Sequence, residues 1–125
     1  MYVTAPPVAP RPPRERLLRK VLRVARREPG PPAPEQIARS ADLARAFNNW
    51  AASTDGWLKD YRPRNLVVFD LYDLLTGEGK SNLLVYPTRE GTDSHASREG
   101  NERVAAAFLP FLNRALRRLE DRKGS

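Results

Sequence analysis

The apolar residues of this chain recur with helical spacing in three segments and form more continuous runs in two others. Helical spacing covers residues 14–28, 35–50 and 98–119, where apolar positions fall three and four apart. Residues 65–70 form a near-continuous apolar run, typical of a strand buried on both faces, and residues 2–5 form a short β-prone segment. Strand and helix therefore alternate, and this order favours an α/β sandwich over a helical bundle.

Prolines and capping residues predict where these elements begin and end. Pro-rich linkers within residues 8–34 flank the first helix on both sides. Ser97 is placed to cap the last helix, and residues 62–64 end a helical turn that follows the second helix. The aromatic and aliphatic side chains predicted to fill the core are Ile37, Leu43, Ala44, Phe47, Trp50, Trp57, Phe69, Phe108 and Phe111.

Composition and charge narrow the class of protein. The 125 residues are enough for one domain at most, and the absence of cysteine excludes disulfides and thiolate metal sites. The net charge is +7, but residues 1–30 carry eight basic and two acidic side chains, so basicity describes one segment and not the whole domain. We expect neither a membrane span nor a secretory leader, because the apolar runs are too short. Asp70 and Asp73 are expected to cap or face solvent, since no His or Cys stands beside them to share a metal.

The only histidine, His95, lies two positions after Asp93 in a polar loop that leads into the last helix. A carboxylate beside an imidazole can fix one ring tautomer and stabilise the imidazolium, which are the minimum requirements for an oriented general base. Loops beyond the strand ends of open α/β sheets often carry such groups. The same pattern is also typical of a surface turn with a solvated histidine, and the residues alone leave both interpretations open.

Four blocks of the chain carry a family resemblance. The last block is DSHASREGN at residues 93–101, followed by AAAFLPFL at residues 105–112. This last block resembles the C-terminal half of SGNH/GDSL-type serine hydrolases. The resemblance extends to residues 65–76, 2–7 and 44–50. In that comparison, 65–76 is similar to the penultimate core strand and its following loop, and the earlier blocks are similar to the preceding strand and helix. The resemblance covers roughly residues 2–7 and 40–119.

The resemblance implies a Ser-His-Asp triad in which His95 is the general base and Asp93 orients it. Two residues usually separate Asp and His in the family and a proline follows the His, whereas here only Ser94 intervenes and Ala96 follows. The implied substrates are carboxylic esters, acyl lipids or acetylated sugars, with water as acceptor and neither a metal nor an organic cofactor. The implied fold is a three-layer α/β/α, flavodoxin-like (SGNH hydrolase-like) sheet, partly represented by a single domain over residues 1–125.

Two blocks of the family have no counterpart in these residues, namely the Gly-Asp-Ser nucleophile block and the Gly-x-Asn-Asp-like oxyanion block. Without them, a base and its orienting carboxylate give little acyl-transfer catalysis. We therefore expect the chain to be the C-terminal portion of such an enzyme, with the nucleophile outside it. A half-sheet exposes an apolar edge, so we expect marginal stability, a dimer or a complementing chain. The serines predicted to be caps or turn residues are Ser40, Ser53, Ser81, Ser94 and Ser97.

The basic amphipathic helix lies outside the resemblance, as an insertion between two matching blocks. One interpretation is a solvated helix whose apolar stripe docks on the domain. The alternative is a non-catalytic module in which residues 11–27 bind an anionic membrane surface or nucleic acid. Nucleic acid is the less favoured partner, because the helix has no aromatic side chain to stack on bases. The candidate anion-binding residues are Arg16, Arg19, Lys20, Arg23, Arg26 and Arg27.

Overall fold

The computed structural model describes residues 1–12, 15–61 and 65–120. Within these residues the chain is a mixed α/β structure with four helices and a small two-stranded parallel sheet. In chain order the elements are β1 (Tyr2–Val3), α1 (Leu17–Ala25), α2 (Pro34–Ala52), β2 (Val68–Phe69), α3 (Leu71–Leu75), a 3-10 turn (Arg89–Gly91) and α4 (Arg98–Glu120). The predicted helix start at Arg14, the predicted break at residues 62–64 and the chain beyond Glu120 lie outside the described residues.

The sheet is parallel, with Tyr2 opposite Val68 and Val3 opposite Phe69. The backbone N–H of Tyr2 donates to the Val67 carbonyl at 2.9 Å, and that of Thr4 donates to the Phe69 carbonyl at 3.1 Å. Successive backbone groups of a strand point to opposite sides, so Val3 directs its N–H and C=O to the other edge of β1. The predicted alternation of strand and helix is confirmed, although each strand is shorter than its apolar run.

Part of the core lies where α4 packs against β2. The Phe69 ring is buried and lies 5.2 Å from the Phe108 ring and 5.0 Å from the Phe111 ring, measured between centroids. Edge-on and tilted aromatic pairs at this spacing add to the free energy gained by burying their apolar area. The predicted burial of Phe69 is thus confirmed, and this aromatic cluster anchors α4 on the sheet. The other buried apolar side chains among the described residues include Ile37, Ala41, Ala51, Tyr72, Leu75, Leu84 and Ala115.

Capping residues begin three of the helices. The Gln36 side chain accepts from the Ala33 backbone N–H ahead of α2, where Pro34 occupies the first turn without needing a donor. The Asp70 carboxylate accepts from the backbone N–H of Asp73 at 3.0 Å and begins α3. Ser97 Oγ accepts from the Gly100 N–H at 3.4 Å, as its position before α4 predicts. The capping roles predicted for Asp70 and Ser97 are therefore confirmed.

The burial predicted for α2 and Trp57 is partly wrong. Leu43, Phe47 and Trp50 are at least half exposed, and Trp57 is also exposed. The face of α2 that packs inward carries Ile37, as predicted, together with Ala41, Asn48 and Ala51. The two stripes lie about 110° apart around the helix. Small side chains on the inward stripe allow close approach to the rest of the chain, which helical spacing alone does not reveal.

A partly buried polar cluster around Arg45 joins α2 to α3 and the loop after it. The Arg45 guanidinium donates to Asp73 Oδ1 at 2.9 Å, to Thr76 Oγ1 at 2.5 Å and to the Ser81 carbonyl at 2.6 Å. Its Nε donates to Asn82 Oδ1 at 3.1 Å. The guanidinium also lies over the Tyr72 ring, 4.6 Å from the centroid. These contacts hold residues 76–82, predicted as a loop, against two helices.

Residues 5–11, which we call the N-terminal strap, lead from the sheet toward the Asp93/His95 loop. The Val8 carbonyl accepts from the Leu84 N–H at 3.0 Å, and Val8 forms a parallel bridge with Leu83. Further along, the Arg11 N–H donates to the Gly91 carbonyl at 2.9 Å. Because the strap continues from the carboxyl end of β1, it ties the Asp93/His95 loop to that side of the sheet.

Candidate functional site: the Asp93/His95 loop

The loop that carries Asp93 and His95 is closed at its base by backbone pairing. Pro87 and Ala96 form an antiparallel bridge, and the Ser97 N–H donates to the Tyr86 carbonyl at 2.7 Å. The Thr88 backbone N–H and side-chain hydroxyl both donate to the His95 carbonyl, at 3.3 and 3.2 Å. The backbone of His95 is therefore fixed from across the loop, although the loop itself lies on the surface.

Three consecutive residues before Asp93 adopt left-handed backbone conformations. Arg89, Glu90 and Gly91 have φ values of 47°, 58° and 87°. Such conformations are unfavourable for non-glycine residues and persist only where the surroundings impose them. At Gly91 a Cβ would also lie 2.9 Å from Pro10 Cγ of the N-terminal strap. A glycine is thus required where strap and loop meet, and the resulting turn directs the chain into Asp93.

Asp93 accepts two hydrogen bonds from His95. Its Oδ1 contacts the ring Nδ1, and the same oxygen accepts from the His95 backbone N–H at 3.0 Å. An ionised carboxylate can only accept, so a neutral His95 carries its proton on Nδ1 and the lone pair on Nε2. The side chain of His95 is 85% exposed, whereas that of Asp93 is 21% exposed. The basic nitrogen therefore faces the solvent, and the orienting carboxylate lies beneath it.

The electrostatics favour an ionised Asp93. The hydrogen bond from the His95 side chain, followed by that from its backbone, holds the pKa of Asp93 below its usual range. The Arg89 guanidinium lies 3.8 Å from Asp93 Oδ2, but its side chain is largely exposed, so this pair contributes little. A carboxylate that stays ionised can stabilise an imidazolium formed on His95, which is the second property expected of an oriented base.

The start of α4 is adapted to the loop. A Cβ on Gly100 would lie 2.8 Å from Tyr86 Cβ and 3.1 Å from Ala96 Cβ, so this position requires glycine for close packing. The Asn101 side chain donates to the Ala96 carbonyl at 3.2 Å. Gly100 and Asn101 therefore have a direct structural use, because they seat the helix against the base of the Asp93/His95 loop.

The described serines that make side-chain hydrogen bonds are caps or turn residues. Ser53 Oγ accepts from the Asp55 N–H at 3.0 Å, and Ser81 Oγ accepts from the Leu83 N–H at 2.9 Å. Ser97 caps α4, as described above. These contacts confirm the predicted roles of the three residues.

The predicted basic residues lie within and beside α1. One interpretation of the sequence placed the apolar stripe of this helix against the domain, and that interpretation is wrong. Along the described helix Leu17–Ala25 no side chain is buried, so the apolar stripe does not dock on the domain. Arg23 is instead the engaged residue, because it donates to both carboxylate oxygens of Glu15, at 2.7 and 3.2 Å. This contact holds the pKa of Glu15 below its usual range. The remaining candidates are exposed, namely Arg16, Arg19, Lys20, Arg26 and Arg27.

Sequence reasoning did not identify Thr88, Arg89 or the strap as parts of this site. The spacing of four residues between Arg89 and Asp93 is the sequence signal that could have identified Arg89. Over the described residues, no cluster of three His, Cys, Asp or Glu side chains is arranged to hold a metal. None of the helices in the described part of the chain has the length and apolarity needed to cross a bilayer.

Comparison with known proteins adds no relative. A scan against protein-family models, a search of curated proteins and a search of solved structures each find no match to this chain. Any function assigned to the site therefore rests on its residues and their geometry.

Proposed function

We propose that this chain is the C-terminal portion of an SGNH/GDSL-like carboxylic ester hydrolase, contributing His95 as general base and Asp93 as the carboxylate that orients it. The observation that carries the proposal is the double hydrogen bond from His95 to Asp93, which leaves Nε2 exposed. The proposal also includes the finer fold, a three-layer α/β/α sheet of which β1 and β2 are two neighbouring strands.

In this role His95 acts on a serine supplied from outside the chain. Nε2 removes the proton of the serine hydroxyl as its oxygen attacks the ester carbonyl, and Asp93 stabilises the imidazolium. The imidazolium then protonates the departing alkoxide, which leaves an acyl-serine and an alcohol. Water then attacks the acyl carbonyl while His95 takes a proton from it. The imidazolium returns this proton to the serine oxygen as the bond between that oxygen and the acyl carbon breaks, which releases the carboxylic acid and regenerates the serine. The oxyanion donors, like the nucleophile, come from outside the chain, in the Gly-x-Asn-Asp-like block.

Exposed apolar surfaces support a larger sheet. A cleft of about 710 Å³ opens between residues 65–67, which lead into β2, and the C-terminal half of α4. Leu58, Leu112, Leu116 and Leu119 are among its lining side chains. The exposed stripe of α2 adds further apolar area. Additional strands and helices, placed as in the proposed fold, would cover surfaces of this kind.

The proposal is tested by reconstitution. The chain is mixed with the N-terminal half of an SGNH/GDSL-type hydrolase, which carries the Gly-Asp-Ser and oxyanion blocks, and hydrolysis of p-nitrophenyl acetate is followed. We expect turnover that falls by about 100-fold or more in the His95→Ala variant. The matched control is Ser94→Ala, which alters an exposed neighbour in the same loop and should retain full turnover. Equal rates for the wild-type chain and His95→Ala would refute the proposal.

A further inference from the structure

Helix α1 presents its apolar face to solvent and keeps its polar face against its own flanking segments. At about 100° per residue, its apolar side chains occupy an arc of about 160°. The leucine and valine side chains of this arc are between 46% and 79% exposed, and Ala25 is exposed as well. The members of this apolar arc are Leu17, Leu18, Val21, Leu22, Val24 and Ala25.

The polar side of α1 is occupied from within the chain. Glu15, just before the helix, holds Arg23 through two hydrogen bonds. After the helix, the segment 28–32 returns along the same side, and a Cβ on Gly30 would lie 3.4 Å from the Arg23 guanidinium. The Glu28 N–H donates to the Arg23 carbonyl at 3.0 Å. These contacts fix the orientation of the helix, so its apolar arc faces away from the segments that flank it.

We infer that α1 binds an anionic lipid surface, with its apolar arc inserted at the boundary of headgroups and acyl chains. Five exposed basic residues lie beside or at the ends of the helix, where their long side chains can reach phosphate and carboxylate headgroups. Aliphatic side chains enter lipid, whereas duplex DNA has no equivalent apolar phase to receive them. At nine residues α1 is about 14 Å long, which suits a helix lying in the interface. This inference is independent of the proposed hydrolase function.

Vesicle sedimentation tests the inference, using phosphatidylcholine vesicles with and without phosphatidylserine. We expect binding to the anionic vesicles only, weakened about tenfold or more by the double substitution Leu17→Ser and Leu18→Ser. The matched control is Leu43→Ser with Leu109→Ser, which removes two leucines of similar exposure elsewhere and should bind like the wild type. The His95→Ala variant should also bind normally, so failure here is distinguishable from failure of the hydrolase proposal.

A second experiment measures how α1 is oriented on the membrane surface. Because the chain contains no cysteine, Leu18→Cys and Lys20→Cys each allow one environment-sensitive fluorophore to be attached. At saturating anionic vesicles, emission from position 18 should shift to shorter wavelength, and that from position 20 should shift less. The inference is overturned if anionic vesicles are not bound, if the leucine substitutions have no effect, or if both labels respond alike. Tighter binding to duplex DNA than to vesicles would also overturn it.

Discussion

A single carboxylate oxygen, Asp93 Oδ1, accepts from both the ring Nδ1 and the backbone nitrogen of His95. The backbone contact fixes the position of the residue, and the ring contact fixes its tautomer. The arrangement needs only residues 93–95 for its hydrogen bonds, but the surrounding turn and strap hold those residues in the required conformation.

The tautomer of His95 can be observed directly, because the chain has one histidine. Long-range ¹H–¹⁵N correlation at a pH where the ring is neutral should show a proton on Nδ1 and none on Nε2. In Asp93→Asn the charged acceptor is lost, so the Nε2-protonated form should become the major species. Glu99→Gln, a substitution of the same type in the first turn of α4, should leave the spectrum unchanged. A wild-type chain protonated mainly on Nε2 would disprove the assigned hydrogen bond.

The lowered pKa of Asp93 predicts a pH-dependent contribution to stability. Because this pKa is lower in the folded chain than its usual value of 3.8, the ionised form stabilises the fold. The contribution is fully present above 3.8 and is lost as the pH falls through the lower, folded value. The free energies of unfolding of the wild type and of Asp93→Asn, measured in urea, should therefore differ most above pH 3.8. They should converge as the pH falls below the pKa of Asp93 in the folded chain. A difference that stays constant across the acid range would show that Asp93 gains nothing from His95 on folding.

The Arg45 cluster is expected to contribute substantially to stability. Replacement by the similarly long but uncharged side chain in Arg45→Met removes four hydrogen bonds and leaves Asp73 without its cation. We expect the free energy of unfolding to fall by about 2 kcal/mol. Arg39→Met, at an exposed position on the same helix, should change it by less than about 0.5 kcal/mol. Equal changes in the free energy of unfolding for the two variants would show that the Arg45 cluster contributes no more to stability than an exposed arginine does.

Local sequence patterns predicted the parts of this molecule that local interactions determine. The β2 run, the Ser97 cap and the long last helix each depend on residues close together in the chain. The Arg45 contacts join residues 28 to 37 positions apart, and the strap joins Arg11 to Gly91. Neither the Arg45 contacts nor the contact between the strap and Gly91 produces a periodic pattern in the sequence. The choice between the two stripes of α2 also depends on what packs against them, so the exposure of Leu43, Phe47 and Trp50 could not be predicted from spacing.

Among the described residues β1 pairs on one side only, and its other edge predicts self-association of the isolated chain. Val3 is 40% exposed and directs its backbone groups away from β2. We expect concentration-dependent dimers or larger species in analytical ultracentrifugation, with Val3→Lys weakening association about tenfold or more, because edge lysines oppose strand pairing. Val85→Lys is the matched control, since Val85 is 39% exposed but lies outside the sheet. A cooperative monomer at all concentrations would contradict the interpretation of the sheet as one part of a larger one.

The hydrolase proposal is tested most directly by fluorophosphonate labelling of the reconstituted mixture, with the modified serine mapped by peptide mass spectrometry. The proposal predicts modification of the serine in the Gly-Asp-Ser block of the added half, abolished when His95→Ala replaces the wild-type chain. Modification of a serine within residues 1–125, or labelling that is indifferent to His95, would contradict it.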